Sequence, residues 1–236
     1  MKFKKGNLEK QLSKIPREVI WCKKCVMSNQ RPRIIFDENQ ICSGCKNNER
    51  KKEINWDERE NELNILLDKH RSKNGSWDVI VPSSGGKDSG YVAHQLKYEY
   101  GMNPLTVTWS PLEYTDIGWK NLRENIKSGF NNFLYSPNGK LQRKLARLSF
   151  EELGDAFHVF VLGQVSFPFH IAKLLNINLV FYGENGELEY AGDPKYIDKP
   201  YKPSSEFLEH HFKGSPFDNL IDYGLSKKNY LSKEDL

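Results

Sequence analysis

A short apolar segment leads directly into a glycine-rich loop in the first half of the chain. Residues 78–82 have the composition of a buried strand, and residues 83–89 then read Ser-Ser-Gly-Gly-Lys-Asp-Ser before a helical apolar pattern begins. Consecutive glycines let several backbone N–H groups turn toward one anion, and the positive end of the following helix strengthens the attraction. This strand–loop–helix unit therefore predicts a phosphate-binding loop, with a plain glycine turn as the alternative.

Strands and helices alternate from Trp77 onward. Apolar and β-branched residues predict three further strands, at 105–109, 133–135 and 179–182. Four helices are predicted between them: one ending at Gly101, one from Asp116 as its cap to Gly129, one ending near Gly154, and one across 156–175 with a break around Pro168. This alternation is typical of an α/β domain with a parallel sheet covered on both faces.

Five regions are predicted along the chain. In order they are an N-terminal arm, a cysteine-containing module, a linker helix, the α/β domain and an irregular segment, with bounds 1–20, 21–47, 48–76, 77–192 and 193–236. The linker helix rests on an apolar stripe at Leu63, Leu66, Leu67 and His70, whose spacing places these side chains on one helix face. Gly75 is expected to end this helix.

Spacing excludes two other kinds of glycine loop. A Walker loop requires a glycine five residues before Gly86, but that position holds Val81. A dinucleotide-binding fingerprint requires Gly-x-Gly-x-x-Gly, which residues 85–90 do not supply. Within the loop, Ser84 and Ser89 can donate hydroxyl hydrogens and Lys87 supplies a cation, whereas Asp88 suits Mg²⁺ binding or loop orientation.

Four cysteines occur as two close pairs. Cys22 and Cys25 are followed, after sixteen residues, by Cys42 and Cys45. This spacing predicts a small zinc-ribbon-like module around a closed tetrahedral zinc site with four thiolate ligands. About thirty residues bury too little surface to fold without such a metal. An iron–sulfur cluster and a redox pair are the alternatives. Gly44 is expected to adopt a positive φ in the second knuckle.

Composition limits the partners and the location of the protein. The 236 residues carry a net charge of +4, which suits an anionic substrate and argues against nucleic-acid binding. No apolar run approaches the ~20 residues that span a bilayer, and no apolar stretch follows the basic start Met1–Lys5. A cytoplasmic protein without a membrane span is therefore expected.

The loop Ser84–Ser89 resembles the SGGKDS loop of the ATP pyrophosphatases, whose Rossmann-like domain is similar to that of the adenine nucleotide alpha hydrolases. The resemblance implies that ATP, bound with Mg²⁺, is split between its α and β phosphates. The implied ATP-binding residues are Ser83, Ser84, Gly85, Gly86, Lys87, Asp88 and Ser89, of which Lys87, Asp88 and Ser89 also have catalytic roles. Thr108, Trp109 and Gly183, at the carboxyl ends of two other predicted strands, are expected to complete the nucleotide site.

Further segments resemble the N-acetyl sugar amidotransferases. These segments are Trp21–Met27, the loop itself, Thr106–Pro111, Leu162–Gln164 and Phe181–Gly186, and the resemblance covers roughly residues 20–200. Members of that family extend past the position of residue 236, so this chain is expected to be truncated at its C-terminus.

The second resemblance implies that an acetamido group of a bacterial sugar becomes an acetamidino group. Sugars of this kind belong to surface polysaccharides such as O-antigen and to flagellin glycans that contain pseudaminic acid. No glutaminase domain is recognised in the sequence, so another protein is expected to deliver ammonia. The resemblance implies two partners similar to the subunits of imidazole glycerol phosphate synthase, a glutaminase and a cyclase-like channel protein. Gln164, Glu184, Asn185 and Glu187 are the candidate contacts for the sugar.

Two other functions stay open. A tRNA-modifying enzyme with the same loop would use the cysteine module to bind RNA. The small net charge and the lack of any cysteine after Cys45 that would carry sulfur argue against it. A non-enzymatic scaffold with a vestigial ATP site is at odds with the intact sequence Lys87–Ser89.

Overall fold

The computed structural model describes residues 16–31 and 33–184, together with Ile221, Asp222, Gly224 and Leu231. These residues form two compact units, 16–57 and 58–184 with the four C-terminal positions. Three predicted features lie outside the described residues: Asn185 and Glu187, the N-terminal arm up to residue 15, and all but those four positions of the segment 193–236.

The first unit consists of two tight turns and a short helix. Antiparallel bridges close the turns 21–28 and 36–42. The Asp37 carboxylate stabilises the second turn by accepting two hydrogen bonds from backbone N–H groups. Helix α1 (Ser43–Arg50) follows at once and carries Cys45 in its first turn. Local backbone geometry therefore places each cysteine pair at the base of a turn.

The second unit is organised around a parallel sheet. Its strands are β1 (Val79–Pro82), β2 (Pro104–Trp109) and β3 (Asn131–Tyr135), in the order β1-β2-β3. The strand predicted at 179–182 is reduced to a single parallel bridge between Val180 and Ile80. Ile80 uses both its N–H and its C=O for this bridge, so β1 is paired along both of its edges.

In the described part of the chain, one helix precedes the strands of this unit, two lie between them and two follow β3. They are α2 (Trp56–His70), α3 (Lys87–His94), α4 (Asp116–Lys127), α5 (Gly139–Leu153) and α6 (His158–Leu175). The predicted linker helix is too long, since α2 covers only part of 48–76 and ends before Gly75. Thr115 rather than Asp116 caps α4, because its hydroxyl accepts a hydrogen bond from Gly118 N at 3.1 Å. Helix α5 ends at Gly154 with φ 70°, as predicted.

Helix α3 continues into a π-helical turn, Gln95–Glu99. In this turn the Tyr98 hydroxyl donates a hydrogen bond to Ser128 O at 3.0 Å, and Lys97 Nζ donates one to Gly129 O. Both carbonyls belong to the turn that ends α4. The π-helical turn therefore fastens the C-terminal end of α4 to the continuation of α3.

Helix α6 is continuous, so the predicted break around Pro168 is wrong. A proline inside a helix removes one backbone hydrogen bond and costs about 3 kcal/mol. Packing offsets this cost, because Pro168 is buried and Ile171 and Ala172 pack against the sheet. Among the described residues, α6 is the one helix whose 18 residues are long and apolar enough to cross a membrane. The core helix of a soluble protein passes the same test, so this signal is weak.

The sheet has a hydrophobic core on each face. One core joins Val79 and Val81 to Ala93 and Leu96 on the helical segment after the loop and to Leu67 of α2. The other joins Ile80, Leu105 and Val107 to Ile171 and Ala172 of α6. Successive β1 side chains thus enter opposite cores, which confirms the predicted parallel sheet covered on both faces.

Replacing Leu67 by alanine is expected to lower the free energy of unfolding of the second unit by about 2–5 kcal/mol. The predicted apolar stripe contained both Leu66 and Leu67, but Leu67 is fully buried while Leu66 is 39% exposed. Leu66→Ala is therefore a matched control, with an expected loss below about 1 kcal/mol. Urea denaturation followed by circular dichroism measures both losses, and equal losses would contradict the assignment of Leu67 to the core.

Candidate functional site

The four cysteine sulfurs converge in the first unit. All four Sγ atoms lie within 4.8 Å of one another, with 4.0 Å between Cys22 and Cys45 and 3.6 Å between Cys25 and Cys42. A tetrahedral zinc ion with Zn–S bonds of about 2.3 Å holds its sulfurs about 3.8 Å apart. The cluster is therefore compatible with a structural zinc site.

Backbone amides stabilise negative charge on one of these sulfurs. The N–H groups of Lys24 and Cys42 donate to Cys22 Sγ at 3.4 and 3.3 Å. Burial acts to raise the pKa of Cys22, but the backbone hydrogen bonds outweigh it and lower the pKa to about 6. The pKa of Cys45 is raised to about 12, first by a hydrogen bond with Cys25 and second by burial. A metal must displace protons to bind here, so its affinity falls as the pH falls.

Gly44 does not have the conformation expected of it. It lies in the first turn of α1 without a positive φ, and a Cβ at this position would be 3.8 Å from Cys42 Sγ, an ordinary contact. The second knuckle instead uses Cys42 as the N-cap of α1, and Cys42 Sγ accepts a hydrogen bond from Cys45 N at 3.5 Å. Four protein ligands fill a tetrahedral site, so the cluster suits a structural role rather than catalysis.

The glycine-rich loop begins at the carboxyl end of β1. Ser83 is buried, and its N–H donates to Val107 O of β2 at 2.9 Å. Its hydroxyl oxygen lies 3.1 Å from Ser89 Oγ and accepts a hydrogen bond from Gly85 N at 3.3 Å. Ser83 therefore ties the strand to the loop and the loop to the first turn of α3.

Two glycines let the loop pack directly against neighbouring backbone. Gly85 has φ 82°, and a Cβ there would lie 2.6 Å from the Cα and N atoms of Leu122 in α4. Gly183 follows the Val180 bridge, and a Cβ there would lie 2.9 Å from the carbonyl carbon of Asp88 and the nitrogen of Ser89. A side chain fits at neither position unless the backbone moves. The loop is thus held between α4 and the segment that contains Gly183.

The groups predicted to bind an anion are exposed at the start of α3. Gly86 caps this helix without a side-chain hydrogen bond, and Ser84, Lys87 and Asp88 are all exposed. Lys87 Nζ donates to Asp88 Oδ1 at 2.5 Å, a surface ion pair of the kind that contributes little to stability. Amides, a hydroxyl and a cation therefore meet at one helix N-terminus, which is the set of groups that binds a phosphate.

A polar column, formed by Thr106, Thr108 and Asn132, lies beneath the loop. Thr108 Oγ1 donates to Ser83 O at 2.6 Å, and Thr106 Oγ1 donates to Asn131 O at 2.8 Å. Asn132 Nδ2 donates to both hydroxyl oxygens at 2.9 Å. Both threonines are almost fully buried, so the Thr108 hydroxyl holds the Ser83 carbonyl from the interior of the unit.

Only Thr108 of this column was predicted, although a signal for Thr106 was present. Strands at the centre of a parallel sheet are usually continuous apolar runs, and two threonines on one face of β2 depart from that pattern. Asn132 gave no comparable signal, since its role depends on the register of β3 against β2.

The Trp109 ring belongs to an aromatic cluster with Tyr135 and Phe167. Its centroid lies 5.1 Å from that of Tyr135 and 5.7 Å from that of Phe167. The indole also packs on Gly163 of α6, where a Cβ would overlap the ring. Tyr135 is 45% exposed, so the cluster reaches the surface at the carboxyl end of β3. Sequence reasoning missed these three partners because they meet Trp109 only in the folded chain.

The remaining predicted residues are placed in part. Gln164 is half-buried on α6, next to the glycine that contacts Trp109, and Glu184 is exposed directly after Gly183. Asn185 and Glu187 lie beyond the part of the chain that the structure describes. The fold thus brings Thr108 and Gly183 to the loop, and it brings Trp109 to the helix that carries Gln164.

Comparisons with known proteins add no assignment. No protein-family model matches the chain, and no curated protein matches it. The cysteine cluster and the loop therefore rest on their own residues and geometry.

Removing one cysteine is expected to abolish stoichiometric zinc binding. Cys42→Ser removes a buried sulfur, and without the metal the unit 16–57 is expected to lose its fixed structure. Ser43→Ala is the matched control, since the Ser43 hydroxyl accepts a hydrogen bond from Ile35 N and supplies no sulfur. Zinc content by mass spectrometry and amide hydrogen exchange in 16–57 measure both effects. Full zinc content in Cys42→Ser would contradict the four-thiolate site.

A methyl group at Gly183 is expected to push the first turn of α3, and the loop that leads into it, away from the segment that contains Gly183. Gly183→Ala should destabilise the second unit by about 1–3 kcal/mol and raise amide exchange in residues 83–89, because the new Cβ meets backbone atoms. Gly139→Ala is the control, since a Cβ there meets only the end of the Arg143 side chain at 3.5 Å. Unchanged loop exchange in Gly183→Ala would show that the contact with the loop is not tight.

Proposed function

We propose that the chain is an ATP-dependent enzyme that transfers AMP to the acetamido oxygen of an N-acetylated sugar, after which ammonia replaces that oxygen. The observation that carries the nucleotide part is the position of the loop Ser83–Ser89. The chain leaves β1 toward β2 and later returns to the opposite edge of β1 at Val180. Ligands of open parallel sheets bind outside the carboxyl ends of the strands at such a switch point.

The loop has donors and charges suited to the phosphates of a nucleoside triphosphate and to its Mg²⁺ ion. In this proposal Ser84, Gly85, Gly86 and Ser89 hold the β and γ phosphates, with the Ser84 and Gly86 amides and the Ser84 and Ser89 hydroxyls as donors. Lys87 neutralises the charge that develops as pyrophosphate leaves, which is the largest electrostatic contribution expected in such a step. Because the Lys87–Asp88 pair is exposed, separating it costs little, and this leaves Asp88 for Mg²⁺.

The proposed chemistry activates an amide carbon, which is otherwise a poor electrophile toward ammonia. The amide oxygen attacks the α-phosphorus of ATP, the bond to the β-phosphate breaks, and pyrophosphate leaves with that electron pair. The product is an adenylated imidate whose carbon is a far better electrophile than the amide carbon. Ammonia adds to this carbon and AMP leaves, so that an amidine, AMP and pyrophosphate are formed from an amide, ATP and ammonia.

The sugar and the partners are proposed from the sequence resemblance. The exposed Glu184 and the half-buried Gln164 are the described candidates for sugar contacts. The backbone around Thr108 and Trp109, at the end of β2, is the proposed contact for the nucleoside. Ammonia is proposed to arrive from a partner glutaminase through a cyclase-like channel protein. The cysteine cluster takes no part in the reaction under this proposal, since four sulfurs fill a zinc site.

Sugar-dependent release of pyrophosphate and AMP tests the proposal. The chain is incubated with Mg-ATP and a high concentration of ammonium, and N-acetylated sugar nucleotides or sialic-acid-like sugars are compared with bulk tRNA. We expect release that requires a sugar, with the mass change produced when NH replaces O. Lys87→Ala should lower the rate on the order of a hundredfold or more, whereas Lys173→Ala, at an exposed position on α6, should leave it unchanged.

Other outcomes would redirect or reject the proposal. Release that requires tRNA instead of a sugar would move the assignment to RNA modification and leave only the loop chemistry standing. A Lys87→Ala chain that kept the wild-type rate would remove the role given to the lysine. Binding of ATP without turnover, with ammonium and sugars present, would favour a scaffold with a vestigial site.

A further inference from the structure

The hydrogen bonds of the polar column have only one consistent direction. Each threonine hydroxyl has one hydrogen, and its contact with a backbone carbonyl, Ser83 O for Thr108 and Asn131 O for Thr106, requires that hydrogen. Both hydroxyl oxygens must then accept from Asn132, so the amide nitrogen rather than the amide oxygen faces them. The direction is therefore from Asn132 through Thr108 to the Ser83 carbonyl.

This orientation leaves one polar atom of the Asn132 side chain without a hydrogen bond in the described part of the chain. Its Oδ1 atom is buried, and among the described residues it accepts no hydrogen bond. A buried acceptor without a partner costs stability, so satisfaction of the Asn132 side chain does not explain its orientation. The two threonine hydroxyls do explain it, because they use both hydrogens of the amide.

Ser83 is the point at which the column meets the loop. Its N–H donates to Val107 O, and its carbonyl accepts from the Thr108 hydroxyl. Its hydroxyl is hydrogen-bonded to both Ser89 Oγ and Gly85 N. The Ser83 carbonyl shares a planar trans peptide unit with the N–H of Ser84. In such a unit the two groups point in opposite directions. A Ser83 carbonyl held by the Thr108 hydroxyl therefore directs the Ser84 N–H away from Thr108.

We propose that Thr108 and Asn132 are positioning residues that orient the first amide of the loop through the Ser83 carbonyl. This inference rests on the proposed function, because the oriented amide belongs to the loop proposed to bind the phosphates of ATP. The Thr108 side chain does not touch the ligand in this proposal, since it is almost fully buried and its hydroxyl already donates to Ser83 O. Thr106 makes the same kind of hydrogen bond, but to Asn131 O of β3 rather than to a residue of the loop.

Two valine variants separate orientation of the loop from stability of the strand. Thr108→Val and Thr106→Val each remove one buried hydroxyl from β2 while they keep the shape and the β-branching of the side chain. Amide hydrogen exchange at residues 84–86, without nucleotide, and the dissociation constant for Mg-ATP by calorimetry are measured on the full chain. We expect Thr108→Val to exchange faster in the loop and to bind Mg-ATP on the order of fivefold to tenfold more weakly, the change produced by one lost hydrogen bond. Thr106→Val should match the wild type in both, and Thr108→Ser should restore both.

Two variants of Asn132 test the direction of the hydrogen bonds. Asn132→Asp places an acceptor against the Thr108 hydroxyl, which draws its hydrogen away from Ser83 O, so loop exchange should rise as in Thr108→Val. Asn132→Leu removes the donor but adds no acceptor, so Thr108 still donates to Ser83 O but loses the hydrogen bond that fixes its hydroxyl. Loop exchange should therefore rise, but by less than in Asn132→Asp. Because exchange is measured without nucleotide, repulsion between the new carboxylate and a phosphate does not affect the comparison.

Equal loop exchange in Thr108→Val and Thr106→Val would overturn the inference, as would wild-type exchange in Asn132→Asp. If the wild-type chain binds no Mg-ATP, the proposed function fails, while the exchange data still decide whether the column orients the loop. If the wild type binds Mg-ATP and both valine variants bind it equally well, the column has no role in the site.

Discussion

Ile80 donates its N–H to Leu179 O at 2.9 Å and accepts a hydrogen bond from Phe181 N at 2.8 Å, while β1 stays in register with β2 along its other edge. This pairing on two edges fixes where the backbone leaves β1. The loop after Ser83 must then emerge between α4 and the segment that returns to β1. Gly85 and Gly183 are the two positions where that space admits only backbone. The geometry of the loop thus follows from strand pairing before any ligand is considered.

The strand–loop–helix unit and the parallel sheet were predictable from the sequence because they depend on local patterns. Apolar segments of the right length marked β1 and β2, and glycine with φ 70° ended α5 where expected. The break predicted at Pro168 failed because tertiary contacts outweighed local preference. Pro168 stays inside α6 because the helix packs on the sheet.

The sequence was enough to predict the cysteine cluster and the loop residues, but not the residues that surround the loop. The spacing of the cysteines was enough to predict their cluster, since a tetrahedral metal site needs little more than two turns of the right length. The loop residues were identified by their sequence, but their surroundings were not. Asn132, Gly163 and Tyr135 act through partners far away in the chain, and no local pattern in a single sequence identifies such pairs. The prediction of a positive φ for Gly44 failed for a local reason, because the first turn of α1 stands where a tight turn was expected.

Helix α3, with the loop before it and the π-helical turn after it, packs along the second half of α4. Near the loop, Gly85 packs on Leu122, and a Cβ at Gly90 would lie 3.1 Å from Asn125 Nδ2. At the far end, Tyr98 and Lys97 of the π-helical turn bind the carbonyls that follow α4. A loop carried by such a clamped pair of helices loses its conformational entropy when the chain folds rather than when it meets a ligand. Under the proposed function, the affinity of the loop for phosphate is therefore set mainly by the fit of its amides and charges, because little free energy is lost in ordering the loop.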